Sequence, residues 1–354
     1  KILSVEVKTI TSQRGAVYLY LIRNRDGMQE GNLAGAERLQ DPRFEWRDKK
    51  MRNIKLAHLY DIAGWKEKGD QAASCSTWTQ FLVDAQGKRT LQAANFCQLR
   101  LCPICTARRA MKNAYRLNQV MNLTESRHGL QFLFLTLTVS SCEGDDLGKT
   151  LTILTDGWNR LLQQRPIARA CKGWYRAIEI THSRELGYHP HIHAIIAVEP
   201  GYFKRSSGLY ITQAEWVARW QKAARLSYKP IVHIQKTKGG KGGQGAVLEA
   251  SKYATKDSEY IDPELDEQEA AGIVVTYTKA LHKRRLTAYG GVMKEIAAQL
   301  GADKEDTDLV HVDDEIIRAD LAELIEDYGW HFGAGDYILT SRRVNPLKVV
   351  RTDA

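Results

Sequence analysis

The sequence predicts an α+β protein, and three observations lead to that class. Apolar runs of strand length, such as Gln131–Val139 (QFLFLTLTV), are interleaved with stretches of helical period. Strands and helices alternate without the spacing of a dinucleotide-binding or P-loop fold. No run of eighteen apolar residues occurs, so no transmembrane helix is expected.

The elements follow in order. Residues 1–35 carry little pattern beyond AVYLYLI, and residues 36–70 mix charge and aromatics with a partly helical period. Cysteines occupy 75–105, and a helix with Arg108, Arg109, Lys112 and Arg116 is expected from Thr106 to about Leu123. After the Gln131–Val139 strand, Leu147–Gln164 reads as an amphipathic helix. Trp174–Thr181 and His191–Val198 read as strands joined by a turn around Arg184–Tyr188. Pro190 marks where the second strand should begin, because proline cannot donate to a ladder. Thr212–Leu226 reads as a helix with Trp216 and Trp220 at i,i+4, and Ile231–Lys236 as a further strand. Lys238–Gly245 (KGGKGGQG) is a glycine-rich basic loop without the ending of a phosphate-binding P-loop, and Ala246–Glu259 reads as a helix.

With 354 residues the chain is long enough for two or three compact units. Net charge is +9, and its distribution is uneven. From Lys204 to Lys256 there are eleven Lys/Arg against Glu215 and Glu249, whereas Asp303–Asp327 holds eleven Asp/Glu against Lys304 and Arg318. The basic middle favours an anionic partner. The opening segment, KILSVEVKTITSQRG, has no signal-peptide core or cleavage site, so a cytoplasmic location is expected.

Three constellations carry chemistry. The strongest is Tyr188-His-Pro-His-Ile-His193. On a strand, residues two apart share a face, so His191 and His193 present two imidazoles side by side. His189 has the same parity and is ranked as a helper. With a hairpin turn centred on Leu186, Glu179 faces His193 and Thr181 faces His191, so that carboxylate and imidazoles converge. A mixed oxygen/nitrogen set with open positions suits Mg²⁺ or Mn²⁺ handling a phosphate, with zinc left open as an alternative.

The second is Glu249-Ala-Ser-Lys-Tyr253-Ala-Thr-Lys256. Glu249 and Tyr253 lie one helical turn apart, Lys252 and Lys256 border the stripe, and Tyr260 continues it. A tyrosine is a competent nucleophile when a metal or an ammonium favours its phenolate. The third is Cys75 with Cys97-x4-Cys102-Pro-Ile-Cys105, four thiols that complete a tetrahedral structural zinc site. Cys142 and Cys171 read as ordinary core thiols. The helix after Cys105 would lie on DNA phosphates.

The FLTLTV strand, the HPHIH segment and the Tyr-x-x-Lys helix, in this order, resemble the HUH endonucleases. More narrowly, the Cys-rich block Asn95–Arg109, the Glu249/Tyr253 spacing and ALHKRRLTAYGGVMKEI (280–296) resemble the plasmid rolling-circle Rep initiators, across roughly residues 40–340. The resemblance implies an antiparallel-sheet nuclease core with flanking helices. It implies a site-specific nickase and strand transferase in which His191 and His193 hold the divalent metal. Tyr253 would attack the scissile phosphate, leaving a 5′-phosphotyrosine and a 3′-OH primer, and Glu249 would activate water in the closing cleavage. Related proteins also carry a Glu on the neighbouring strand, in support of Glu179 as third ligand.

The expected organisation is a mixed region at 1–70, a zinc-binding segment with basic helix at 71–128, the endonuclease core at 129–262 and an acidic α/β region at 263–354. Expected partners are single-stranded or cruciform origin DNA, a host helicase and a polymerase, with a homodimer allowed and no membrane. Phosphate contacts are expected from Arg108, Arg109, Lys112, Lys236, Lys238, Lys241 and Lys252, with Lys256 beside the nucleophile. Three rival readings remain: an HUH transposase or relaxase, a non-enzymatic zinc DNA-binding regulator, and a phosphoesterase acting on small substrates.

Overall fold

A computed structural model describes residues 9–12, 15–18, 35–237, 247, 250, 257–262, 264–302, 308–312 and 321–347. In chain order these form strands β1 (Thr9–Ser12) and β2 (Gly15–Tyr18), helices α1 (Trp46–Ile62) and α2 (Lys66–Ser74), strands β3 (Trp78–Val83) and β4 (Arg89–Ala94), and helix α3 (Pro103–His128). Strand β5 (Gln131–Thr138), helices α4 (Leu147–Gln163) and α5 (Arg165–Ala170), strands β6 (Cys171–Ser183) and β7 (Gly187–Val198), helix α6 (Gln213–Ala224) and strand β8 (Val232–Thr237) follow. The chain continues with helix α7 (Glu267–Leu281), strand β9 (Thr287–Gly291), helix α8 (Val292–Gln299) and strands β10 (Leu324–His331) and β11 (Asp336–Val344). The fold is α+β, as expected, with antiparallel sheets throughout.

The chain divides into two compact units. One is drawn from 1–108, 261–274 and 308–354, the other from 109–260 and 275–307. In the first, a four-stranded sheet has the order β11-β10-β3-β4. The acidic C-terminal stretch thus supplies two strands to the sheet that carries the cysteines. Its core is aromatic: Trp46 meets Phe81 edge-on at 5.9 Å and Tyr337 at 6.2 Å, and Phe81 meets Tyr328 at 6.0 Å.

The second unit is built on a five-stranded sheet ordered β8-β5-β7-β6-β9. Both faces are covered, which is why β5 and β7 are apolar along nearly their whole length. On one face, α4 buries Leu147, Leu151, Leu154, Trp158 and Leu161, a stripe of helical period. Trp158 meets Trp174 of β6 edge-on at 5.3 Å. α6 begins in a capping box between Thr212 and Glu215 and buries Trp216 and Trp220, and Trp220 donates Nε1–H to the Thr138 carbonyl at 2.7 Å. The opposite face carries Phe132, Phe134, Tyr175, Ala177, Ile195 and Ala197. Leu117, Val120 and Met121 of α3 and Met293, Ile296 and Ala297 of α8 share their apolar cluster, together with Val247 and Ala250.

The β6–β7 hairpin is longer than expected, and its register differs. Ser183 pairs with Gly187, so the three-residue turn centres on Glu185, not Leu186. Glu179 therefore lies opposite His191, Thr181 opposite His189 and Ala177 opposite His193. Moving the turn centre by one residue shifts the register by two, which keeps every side chain on its face; a shift of one would have turned Glu179 away. Gly187 closes the turn at φ +69°, and a Cβ there would come 2.6 Å from the Cys142 carbonyl oxygen. That close approach allows Tyr188 and Cys142 to exchange two backbone hydrogen bonds of 2.9 Å. β7 begins at Gly187, before Pro190. Proline is accommodated because the β5 ladder ends at Thr138↔His191, leaving β7 a partner on one side only at Pro190.

Candidate metal centres

Among the described residues, two groups of side chains could hold a metal ion, and both are buried. The first lies on the β5–β7–β6 portion of the five-stranded sheet. Glu179 Oε2 stands 3.0 Å from His193 Nε2 and 3.5 Å from His191 Nε2. The ring orientations are fixed from behind. The Nδ1–H of His191 donates to the His189 carbonyl at 3.1 Å; since a carbonyl only accepts, this places a proton on Nδ1 and turns Nε2 toward Glu179. Nδ1 of His193 hydrogen-bonds the Thr136 hydroxyl at 3.1 Å, and its ring stacks on Phe134 at 5.6 Å. An imidazole lone pair directed at a carboxylate is favourable only with a proton or a metal cation between them. Burial raises the Glu179 carboxyl, but hydrogen bonds from His191 and His193 outweigh that and hold it well below the usual carboxylate range. The donor set therefore fits a cation. His189 stacks beside His191 at 5.4 Å but lies outside this group, and burial lowers its imidazole pKa.

The second group is Cys75, Cys97, Cys102 and Cys105. The Sγ–Sγ distances are 3.6 Å for Cys75–Cys105, 3.7 Å for Cys97–Cys105 and 3.6 Å for Cys75–Cys102. A disulfide requires about 2.05 Å, so none is formed. A tetrahedral zinc with Zn–S bonds of ~2.3 Å places its sulfurs ~3.8 Å apart, and the four thiols fit that ion. Local sequence explains how they meet. α3 opens at Pro103, a residue suited to the first helical position, so Cys102 sits just before the helix and Cys105 in its first turn. There the helix dipole favours thiolate. Cys75 ends α2, and the Cys97 N–H points at its sulfur at 3.4 Å. Burial, reinforced by the neighbouring thiols, pushes the Cys102 thiol up, so ionising the group calls for a cation.

Several contributors to these centres escaped sequence reasoning. Lys50 of α1 is buried, and its ammonium donates to the carbonyls of Ala73 at 2.7 Å and Cys75 at 2.5 Å, closing the loop that presents Cys75. Burial lowers its pKa to about 8 against the opposing pull of the four thiols. Asn95 pins the same loop: its side chain donates to the Ser74 carbonyl at 2.7 Å and accepts from the Trp78 N–H at 3.0 Å. Thr136 orients His193. The threonines interrupting FLTLTV were the available signal for it.

The remaining expected site residues fall as follows. Glu249, Lys252, Tyr253, Lys256, Lys238 and Lys241 lie outside the described residues. Arg108 differs from the expected phosphate-facing side chain: it is 6% exposed, donates to the carbonyls of Leu309 at 2.8 Å and Val310 at 2.5 Å, and lies over the Phe44 ring. Its donors are engaged inside the protein. Lys112 is also buried, and Arg109 is half-buried. Lys236 is exposed on β8, with Nζ 4.4 Å from the Phe203 ring centre. Tyr260 is a core residue, 1% exposed and packed edge-on to Tyr277 at 6.3 Å. Tyr277 in turn donates to Glu259 at 2.5 Å and meets Tyr188 at 5.3 Å. Tyr260 thus packs on Tyr277 of α7, and it is Tyr277 that reaches the start of β7.

A family model described as "Replication protein" matches residues 88–338, a span that includes the Glu179/His191/His193 group and three of the four clustered cysteines. The chain is similar to "Protein rep" of Bacillus amyloliquefaciens, 34% identical over 323 residues that cover 83% of this chain and 94% of that protein. It is similar to "Protein rep" of Streptococcus pneumoniae serotype 2, 34% identical over 276 residues, 76% of this chain and 84% of that protein. "Protein rep" of Lentilactobacillus hilgardii is 32% identical over 302 residues, 83% of this chain and 94% of its own length. No solved structure matches.

Proposed function

Because this chain belongs to the replication-protein family of plasmid initiators, we propose that it starts rolling-circle replication by nicking one strand of its plasmid's origin. The observation that carries this reading is the convergence of Glu179, His191 and His193 on one sheet face, the face against which Val247 and Ala250 are packed. Ala250 precedes Tyr253 by three residues in the chain.

A divalent ion, magnesium or manganese, held by the carboxylate and the two Nε2 atoms would polarise the scissile phosphate and neutralise its charge. The protein's own groups do the rest. Tyr253 supplies the nucleophile, with Lys256 favouring its phenolate. The phenolic oxygen forms a bond to phosphorus, and the bond from phosphorus to the 3′-oxygen breaks. The 3′-oxygen takes up a proton and becomes the primer hydroxyl, while the 5′-phosphate remains esterified to Tyr253. This ester conserves the energy of the broken bond, so a later 3′-hydroxyl can rejoin the strand without a nucleotide triphosphate. In the closing cleavage Glu249 acts as base for a water molecule.

The cysteine group takes zinc and braces the unit that carries it. Arg109, Lys236, Lys238, Lys241 and Lys252 contact DNA phosphates, whereas Arg108 and Lys112 serve the interior. Strand opening is the task of a host helicase and extension that of a host polymerase, in the cytoplasm. Among the described residues, no helix is long and apolar enough to cross a membrane.

The test is incubation with Mn²⁺ and supercoiled DNA carrying the plasmid's own origin, beside Tyr253→Phe. Nicked circles and a DNA–protein adduct that survives SDS, both lost in the variant, are expected. Nicking by both proteins would move the nucleophile elsewhere. Tight origin binding without nicking would favour a regulator.

A further inference from the structure

We propose that a cleft between α5 and α6 binds the phosphate backbone of duplex DNA, as a second nucleic-acid surface remote from the metal centre. This inference gains its biological sense from the nickase reading, but it rests on different residues.

The cleft is a shallow depression open to solvent, with a volume of about 460 Å³, lined by Gln164, Arg165, Pro166, Glu215, Arg219 and Lys222 among others. Arg219 and Lys222 are one turn apart on α6, and Arg165 opens α5 across from them. None of these three cations forms an ion pair within 4 Å among the described residues, although the charge of Arg219 lies near enough to Glu215 to help lower its carboxyl pKa. Glu215, the one acidic residue lining the cleft, directs its carboxylate to the helix cap, where Oε2 accepts from the Thr212 N–H at 2.8 Å and the Thr212 hydroxyl at 3.0 Å. Arg219 is held in place by a reciprocal pair of bonds: Gln164 donates to the Arg219 carbonyl at 3.0 Å, and the Arg219 guanidinium donates to the Gln164 side-chain oxygen at 3.4 Å. Arg169, one turn along α5 from Arg165, and Arg225, just past α6, are exposed and extend the positive field.

Position and chemistry select the ligand. α4 packs on the sheet face that carries Trp174, and α6 packs on α4 through Ala224 against Gly157. Glu179 differs from Trp174 by an odd number of residues along β6, so the metal centre lies on the other face. One nucleotide cannot occupy both places; DNA reaching the cleft is a flank of the nicked segment. The cleft lining includes no aromatic side chain. Single-strand binders depend on aromatic platforms for base stacking, whereas a duplex offers a phosphate every ~1.7 Å of its axis to fixed cations.

The experiment uses the full chain and an Arg165→Ala/Arg219→Gln/Lys222→Ala variant, with binding to a random-sequence 30-base-pair duplex and to a thymidine 30-mer followed from about 50 to 200 mM salt. Circular dichroism and Tm verify folding, and Arg165→Ala/Lys222→Ala, which alters only exposed side chains, is carried in parallel. Three lost phosphate contacts lower the slope of log K against log salt for the duplex by about 2.7, at roughly 0.9 per contact, and the double variant by about 1.8. The thymidine 30-mer is expected to bind the variants and the unaltered protein alike. A duplex slope changed by less than about one contact's worth overturns the proposal, as does an equal loss on both ligands. Competition by inorganic phosphate with an unchanged duplex slope would mark a small-anion site and equally overturn it. Failure of the unaltered protein to nick its origin would overturn the nickase reading alone, because the slopes are measured without cleavage.

Discussion

Replacing Thr136 by Val should weaken metal binding without disturbing the sheet. Valine keeps the shape of threonine and suits a strand, so the change removes one hydroxyl, the partner of His193 Nδ1 at 3.1 Å. His193 is 6% exposed, and a hydrogen bond lost at a buried polar atom costs ~1–3 kcal/mol. Part of that loss falls on orientation: the ring is freer to swing Nε2 away from Glu179 Oε2, which it now meets at 3.0 Å. Groups that orient a metal-binding imidazole typically contribute ~10–100-fold in affinity, or ~1.4–2.7 kcal/mol, which agrees with the cost of the bond. The assay is Mn²⁺ titration by calorimetry, paired with nicking rates across the same Mn²⁺ range. The expected outcome is a Kd raised about 10–100-fold, with the nicking rate recovered at saturating Mn²⁺. A Kd within about twofold of the original would refute the positioning role, as would a rate that stays low at saturating metal with Kd unchanged.

Three further outcomes follow from the structure. Chelator treatment or Cys102→Ser should release about one zinc per chain and lower the melting temperature of the cysteine-bearing unit, because zinc affinity is also folding free energy; metal analysis and calorimetry check this, and an unchanged melt after metal loss would contradict it. Glu326 is 1% exposed and accepts from Arg89 and Arg342 at 2.8 Å each and from Tyr328 at 2.9 Å. Burial raises its carboxyl, but these bonds prevail and leave it lowered. Its stabilisation is therefore present above its unfolded pKa of ~4.3 and lost as pH falls through the folded value. Glu326→Gln should cost ~1–3 kcal/mol near neutral pH, since both arginine partners reach solvent, and the gap in Tm from the unaltered protein should shrink as pH falls below ~4.3; a gap independent of pH would contradict the assignment. Gly187→Ala should cost more than the ~1–2 kcal/mol of a left-handed residue, because its Cβ would meet the Cys142 carbonyl at 2.6 Å; urea unfolding reads the loss, and nicking should fall with it. Unchanged unfolding would show that the turn relaxes freely.

Local order was legible in the sequence wherever it depends on residues a few positions apart. The shared face of His191 and His193 follows from the two-residue period of a strand, and the buried Trp216 and Trp220 from the helical period. The four cysteines could be grouped because thiols at knuckle spacing have few other uses in such a chain. Register was less legible. Glu179 reached the correct face from a turn centre one residue off, because the error moved the pairing by two; its true neighbours, His191 opposite and His193 beside it, depend on turn geometry that propensity does not fix.

Long-range partners were decided only by tertiary structure. β5 inserts beside β7, and only that pairing brings Thr136 against His193. β10 pairs with β3 across more than two hundred residues, so the acidic C-terminal stretch completes the sheet of the cysteine-bearing unit. Lys50 and Asn95 meet the Cys75 loop from other segments, and Arg108 finds its carbonyl acceptors at residues 309 and 310. By itself, then, the sequence determined which residue types could bind metal and on which face two of them stand, since a strand's geometry imposes that locally. The neighbours of Glu179, the groups that orient the imidazoles and the interior role of Arg108 were decided by the fold, because they depend on which distant segments exclude water from one another.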